Sequence, residues 1–320
     1  MGVFIFDDLT NTPTILAPGR AKRDDQTGSI SKSTPDASSS NTVPNFDKTL
    51  IFSKGNEHLT PPSVYQDSDD WNVRVIPNKY PIIGDHEVII HSPFKDKDIE
   101  DLSIEQTVRI LRAYLNRVTY YTGQDKEVMI FNNRGGKAGA SIIHPHSQIV
   151  ALKGFPGTVE LEKESALKYY NTKNSCYWCD LSKSELENNE CVVLSSPHFT
   201  VVVPKASRWS YETLLIPKNH RPNFQFINEI EINDLATVIK SLLRAYDTLF
   251  ERPDRNFWIH TMRYEPYHWH MGFIPQLKVM GGLELGAGIW VSDKATPEEA
   301  AQKLGKYTRE YYESEKLSII

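Results

Sequence analysis

Apolar and polar positions along the chain set out one order of elements twice. Between Trp71 and Leu152, "NVRVIPNKYPII" and "HEVIIHSP" are β-branched runs that predict paired strands. "LSIEQTVRILRAYLNRVTYYT" then predicts a helix. Ser103 with Gln106 three residues on is a capping-box pattern, and Val108, Leu111, Leu115 and Val118 form an apolar stripe. "EVMIFNN" is a further strand, followed by a loop of small residues and His144-Pro-His146. Between His198 and Gln276 the order returns. "FTVVVPK" and "YETLLIPKNH" are strands, and "INDLATVIKSLLRAYDTLF" is a helix with Leu235, Val238, Ile239, Leu242 and Tyr246 on one face. "NFWIHTM" follows, and then His268-Trp-His270. An ordered match of two strands, helix, strand and His-x-His argues duplication. The fold class this predicts is α+β.

Outside the two stretches, residues 24–48 are rich in Ser, Thr, Asp and Pro, lack an apolar period, and read as a mobile loop. The 320 residues can bury a core as one large or two coupled domains. A net charge of −5 offers no basic field for nucleic acid. Apolar runs are strand-sized, so no membrane span is expected, and the first residues lack a signal-peptide pattern. Three cysteines, two of them in one Cys-x-x-Cys, do not make a disulfide scaffold. A cytoplasmic protein is expected.

The chemistry gathers in "GGKAGASIIHPHSQIVAL" (135–152). Alternation along a strand would place His144 and His146 on one face, and likewise His268 and His270. Such pairs suit metal binding, or one imidazole positioning another; two ordinary polar residues on an edge strand is the plainer alternative, weakened by the duplication. Gly135, Gly136, Gly139 and Ser141 would let backbone N–H groups approach an anion and form a phosphate nest. An imidazole beside a bound phosphate can attack phosphorus and form a phosphoramidate, splitting one transfer into two steps. Gln148 would donate to the non-bridging oxygens. Arg134 and Lys137 could neutralise phosphate charge without Mg²⁺, with Arg20 and Arg23 folding over from the N-terminal segment.

These residues resemble the galactose-1-phosphate uridylyltransferase family, a branch of the histidine-triad superfamily that includes ADP-glucose phosphorylases. "APGRAKRDD", "GNEHLTPP" (55–62), "VRVIPNKYP" and "FNNRGGKAGASIIHPHSQ" carry the likeness, which covers most of the chain. It implies that Arg20, Arg23 and Asn78, with Lys79 and Tyr80, reach the nucleotide. Asn133, Gly139, Ala140, Ser141 and Gln148 would surround the phosphates. His146 would be the nucleotidylated nucleophile and His144 its partner. "KVMGGLELGAGIW" is similar to the closing segment of the family, which implicates Lys278 and Glu284 at the sugar phosphate, often across a dimer interface.

Departures are informative. Where family members with a first structural zinc carry two cysteines and a histidine, this chain has Leu50, Ser53 and Lys95, so that site reads as lost. Cys176 and Cys179, with His220 and His268 where the second repeat would place ligands, suit tetrahedral Zn²⁺, one structural ion per chain; a reduced pair without metal is the alternative. His270 sits at the nucleophile's place in the second half without a small-residue loop, and reads as a packed remnant. Cys191 and His260 read as plain core or surface residues.

The resemblance implies two histidine-triad-like modules, at 1–170 with the active site and 171–320 with the zinc site, in a homodimer. The expected activity is nucleotidyl exchange between a nucleotide sugar and a hexose 1-phosphate, with UDP-glucose and galactose 1-phosphate preferred. ADP-glucose with phosphate is the alternative, because "GLELGAGIW" lacks a glutamine that some uridylyltransferases use. A silent nucleotide-binding protein is the rival of another class; intact His146 and Gln148 argue against it.

Overall fold

A computed structural model describes residues 2–23, 25–27 and 47–319. Most of the loop expected at 24–48 therefore lies outside the described residues. A hairpin of β1 (Val3–Phe6) and β2 (Pro13–Leu16) precedes a ten-stranded antiparallel sheet. Its first half holds β3 (Tyr65–Gln66), β4 (Arg74–Pro77), β5 (Asp85–Ile90), β6 (Glu127–Arg134) and β7 (His146–Leu152), with α1 (Ile104–Thr122) between β5 and β6. Two helices, α2 (Thr158–Lys173) and α3 (Tyr177–Asn188), lead into the second half. This holds β8 (Val192–Ser195), β9 (Phe199–Val202), β10 (Thr213–Pro217), α4 (Glu229–Phe250), β11 (Arg255–Thr261) and β12 (His270–Pro275). The short α5 (Gly282–Ala287) and the long α6 (Pro297–Ile319) complete it.

The duplication is visible in the strand order, β3-β4-β5-β7-β6-β11-β12-β10-β9-β8. The β4-β5-α1-β6-β7 unit recurs as β9-β10-α4-β11-β12. The two units meet along β6 and β11, where Asn133 faces Asn256 and Arg134 faces Arg255. Residues 170 and 171 both fall inside α2, so the link between the halves there is helical.

Both predicted helices form on their predicted faces. Ser103 caps α1 by accepting from the Gln106 N–H. The Gln106 side chain does not reach back to close a capping box; it donates to the Asn72 and His91 carbonyls and ties the helix to the sheet. In α4 the whole stripe from Leu235 to Tyr246 is buried, and the cap is a full box between Asn228 and Glu231 that the sequence reading passed over.

Strand alternation then decides what faces what. Ile89, Val128, Ile130, Ile149 and Ala151 point to α1, while Phe257, Ile259, Met271 and Phe273 point to α4, in one continuous core. The alternate residues of the first half (Val88, Phe131, Asn133, His146, Gln148) take the opposite face. In the second half that opposite face is covered by α2 and α3, through Val159, Ala166 and Trp178. In the first half Phe52 and Trp71 pack on part of it, at Ile76, Val88 and Ile90, and the rest faces a cavity.

Candidate active site

This face of the first half forms one wall of a cavity of about 310 Å³. Arg20, Arg23, Asn78, Lys79, Tyr80, Asn133, Gly139, Ser141, His146 and Gln148 all line it. Segments far apart in sequence thus converge as expected.

His146 opens β7 and is 8 % exposed. Its Nδ1 lies 2.8 Å from the His144 carbonyl oxygen, so Nδ1 carries the proton and donates it there. Nε2 is left with a lone pair at the cavity. Burial lowers the pKa of this ring from 6.5 to about 4, so the lone pair is free at neutral pH. The neighbouring amides are also oriented. Asn256 Nδ2 donates to Asn133 Oδ1 over 2.8 Å, which leaves the Asn133 NH₂ group toward the cavity. Arg20 donates to the Tyr80 carbonyl over 2.6 Å; burial first, and Arg23 second, lower its pKa to about 10, still cationic at neutral pH.

Several expectations need correction. His144 does not share the strand with His146: β7 begins at His146, and Pro145 has no N–H for the ladder. His144 instead donates from Nε2 to the Ser92 carbonyl over 2.8 Å, and its buried Nδ1 has no partner among the described residues. Nor is the small-residue loop a fully open nest. Gly139 N–H bonds the Gly136 carbonyl, Ala140 N–H the Gly135 carbonyl, and Lys137 N–H the Asp254 carboxylate. Gly139 and Ser141 still line the cavity, whereas Ala140 is buried behind them. Arg134 is not available to a phosphate, because Glu100, Asp247 and the Pro253 carbonyl hold its guanidinium. Lys278 and Glu284 pair with each other at 3.0 Å and lie outside the cavity of this chain.

Lys95, which the resemblance puts where other family members have a zinc ligand, is bonded elsewhere. Lys95 Nζ donates to Thr49 Oγ1 over 2.9 Å and lies 3.4 Å from Asp47 Oδ2. The ring of Phe52 sits edge-on to both His144 and His146.

Cys176, Cys179, His220 and His268 bring one donor atom each within 4.8 Å of the others. Cys179 Sγ lies 3.4 Å from His268 Nδ1 and 3.5 Å from His220 Nδ1. A tetrahedral ion with ordinary Zn–S and Zn–N bonds sets such S···N separations at about 3.5 Å, so the residues fit a metal. His220 Nε2 donates to the Glu265 carbonyl over 2.9 Å, which leaves Nδ1 unprotonated for ligation.

The second half repeats the tautomer of the first. His270 Nδ1 lies 3.0 Å from the His268 carbonyl, as His146 does from that of His144. Here Trp178 of α3 covers the His270 ring, stacking on it with centroids 4.9 Å apart. Glu162 of α2 stands 3.7 Å from His270 Nε2 and 2.8 Å from His260 Nδ1, and these three groups also lie within ligand reach of one another. His260 is therefore not a plain residue. The sequence signal was its place on β11, two positions after Trp258 and on the face His270 shares.

His86, Asn132, Arg255 and Asp254, which no sequence motif singles out, touch the lining residues or brace the segments that carry them. No helix among the described residues is long and apolar enough to cross a membrane.

Comparison with known proteins identifies the family. The galactose-1-phosphate uridyl transferase N-terminal domain matches residues 10–156, and the C-terminal domain of the same enzyme matches 162–316. An ADP-glucose phosphorylase of Arabidopsis thaliana is 29% identical over 330 residues, covering 92% of this chain and 90% of its own. A galactose-1-phosphate uridylyltransferase of Thermotoga maritima is 28% identical over 236 residues, covering 68% of this chain and 72% of its own. The crystal structure of an Arabidopsis thaliana ADP-glucose phosphorylase with bound ADP-glucose superposes with a TM-score of 0.75 at 27% identity, covering 96% of this chain and 99% of the other. With both of its halves matched in order, the chain belongs to the galactose-1-phosphate uridyl transferase family.

Proposed function

We propose that the chain is a ping-pong nucleotidyltransferase in which His146 carries the nucleotidyl group. The observation that carries this reading is the His146 tautomer: a buried, neutral imidazole with Nδ1–H donated to the His144 carbonyl and Nε2 bare at a cavity lined by Arg20, Arg23 and Gln148. Nε2 attacks the α-phosphorus of a nucleotide sugar, the N–P bond forms, and the bond to the bridging oxygen breaks. Sugar 1-phosphate leaves with that electron pair and needs no proton. The imidazole becomes cationic, and the His144 carbonyl at Nδ1 stabilises that charge. A phosphate oxygen of the acceptor then attacks the same phosphorus and releases His146. Gln148 and the arginines stabilise charge on the non-bridging oxygens in both steps.

The preferred pair is UDP-glucose and a hexose 1-phosphate. A second reading, ADP-glucose with inorganic phosphate, is kept beside it because an Arabidopsis relative that matches nearly the whole chain is named for that activity. Zn²⁺ is proposed at Cys176, Cys179, His220 and His268, where four protein donors close the shell and make the ion structural. A homodimer is proposed too. Val279 and Leu285, beside Lys278 and Glu284, are 85% and 71% exposed, as an apolar segment awaiting a partner chain would be. Such a dimer would bring Lys278 and Glu284 to the sugar phosphate of the other chain. The protein is expected in the cytoplasm.

The test is to incubate the protein with UDP-glucose or ADP-glucose alone and weigh it intact. A uridylyl or adenylyl adduct should form and be absent in His146→Asn. An adduct persisting in that variant would move the nucleophile elsewhere. Adding galactose 1-phosphate or phosphate then identifies the acceptor by which one discharges the adduct.

A further inference from the structure

Gln148 can serve the transfer only if its amide presents nitrogen to the phosphate. Its two ends are nearly the same shape, and the carbonyl end would repel an anion. We propose that His86 is the positioning residue that sets this choice, holding Gln148 Oε1 so that the Nε2 end faces the cavity. The inference rests on the transfer reading above and extends it to a residue that does not itself line the cavity.

The hydrogen bonds fix each proton in turn. The Ile82 N–H donates to His86 Nδ1 over 2.9 Å, so Nδ1 is an acceptor and the proton of the neutral ring sits on Nε2. That nitrogen lies 2.9 Å from Gln148 Oε1, which accepts. Asn78 Nδ2 lies 3.2 Å from the same nitrogen, but it is itself a donor, since Asn78 Oδ1 accepts from the Tyr80 N–H. Gln148 therefore takes the proton. Among the described residues, Gln148 Nε2 makes no hydrogen bond, and the residue lines the cavity beside His146. His86 is 4 % exposed, and burial lowers its pKa to about 4, which keeps the ring neutral and preserves the bond from Ile82. Strand pairing builds the contact: Val88 of β5 faces Gln148 of β7, and His86, two residues from Val88 on the same face, is the diagonal neighbour.

The experiment is a double-mutant cycle on the rate of nucleotidylation of His146 in a single turnover with nucleotide sugar. His86→Leu should slow that step about 10-fold, short of the roughly 10²–10³ expected for loss of such a donor altogether. In a Gln148→Ala background the same change should slow it less than about two-fold, because the effect has nothing left to act through. His86→Gln can still donate to Gln148 Oε1 and should recover part of the rate. Equal losses in both backgrounds would overturn the proposal. Imidazole ¹⁵N–¹H correlation spectra of the whole protein give a readout independent of turnover, with the His86 signal assigned by its loss in His86→Leu. The neutral Nε2–H form is expected; an Nδ1–H form, or an imidazolium at neutral pH, overturns the proposal. If the unaltered protein shows the Nε2–H form yet gains no adduct from UDP- or ADP-glucose, the transfer reading has failed and the hold of His86 on Gln148 has not.

Discussion

Arg255 of β11 donates Nη1–H to Asn132 Oδ1 over 2.8 Å, and Asn132 Nδ2 donates in turn to the His146 carbonyl oxygen over 2.7 Å. The second half of the chain thereby reaches the backbone of His146 in the first. The guanidinium is 1% exposed, and its Nη2 donates to Asp98 Oδ2 and Glu100 Oε2, each over 2.8 Å. Burial would raise both carboxyls; Arg255 keeps Asp98 below its ordinary value, while burial prevails at Glu100 and pushes it up to about 7.

Arg255→Met should therefore destabilise the protein by about 3–5 kcal/mol, because it leaves the buried Asp98 carboxylate without its arginine, while Glu100 keeps Arg134. Denaturant unfolding followed by circular dichroism measures this. A loss below about 1 kcal/mol would mean the carboxyls relax to water or take up protons at little cost.

The acid limb of the first half-reaction should lie well below the ordinary histidine range. Burial lowers His146 from 6.5 to about 4, and only the neutral ring has a lone pair on Nε2. Adduct formation from nucleotide sugar alone, where no acceptor phosphate titrates, should stay level from neutral pH down to about 5 and fall below it. Stability follows the same sign. The unfolded chain binds more protons between pH 6.5 and about 4, so the buried neutral ring's contribution is present above that window and is lost as pH falls through it. An acid limb centred near 6.5 would show a solvated ring.

Cys176→Ser should release one equivalent of zinc and lower thermal stability, since metal-binding free energy is folding free energy. Elemental analysis of protein purified without added metal checks it. Retention of metal and stability by the variant would remove the four-residue set as the site. Any metal at Glu162, His260 and His270 should survive Cys176→Ser, which separates the two groups.

The sequence disclosed what is periodic or local and little of what depends on contacts between distant segments. The helices α1 and α4 and the strands of both repeats were legible because one face of each is buried against the same core. The residues at the cavity were legible because they sit in short motifs. His86 and Arg255 were not, since their roles come from strand register: His86 is diagonal to Gln148 only after β5 pairs β7, and Arg255 meets Asn132 only after β6 pairs β11. Arg134 was misread for the same reason. Its neighbours in sequence suggested phosphate, but its neighbours in space are Glu100 and Asp247.

Gly135 and Gly139 both adopt left-handed backbone, with φ of 84° and 80°, yet their replacement should differ. A Cβ on Gly135 would collide with the Asp254 carboxylate, whose Oδ2 accepts from Lys137 N–H over 2.7 Å and anchors the loop to the second half. A Cβ on Gly139 would meet nothing within 4 Å. Gly139→Ala should thus cost only the left-handed strain, about 1–2 kcal/mol, with the loop still anchored. Gly135→Ala should cost more, about 2–4 kcal/mol, because strain and a displaced carboxylate combine. It should also slow His146 nucleotidylation, because Gly139 and Ser141 then shift at the cavity wall. Asp254→Asn keeps a carbonyl oxygen for the Lys137 N–H and should be the milder change at that anchor. Unfolding curves and single-turnover rates of the three variants decide the matter: equal effects of the two alanine substitutions would show that Asp254 yields freely and does not anchor the loop.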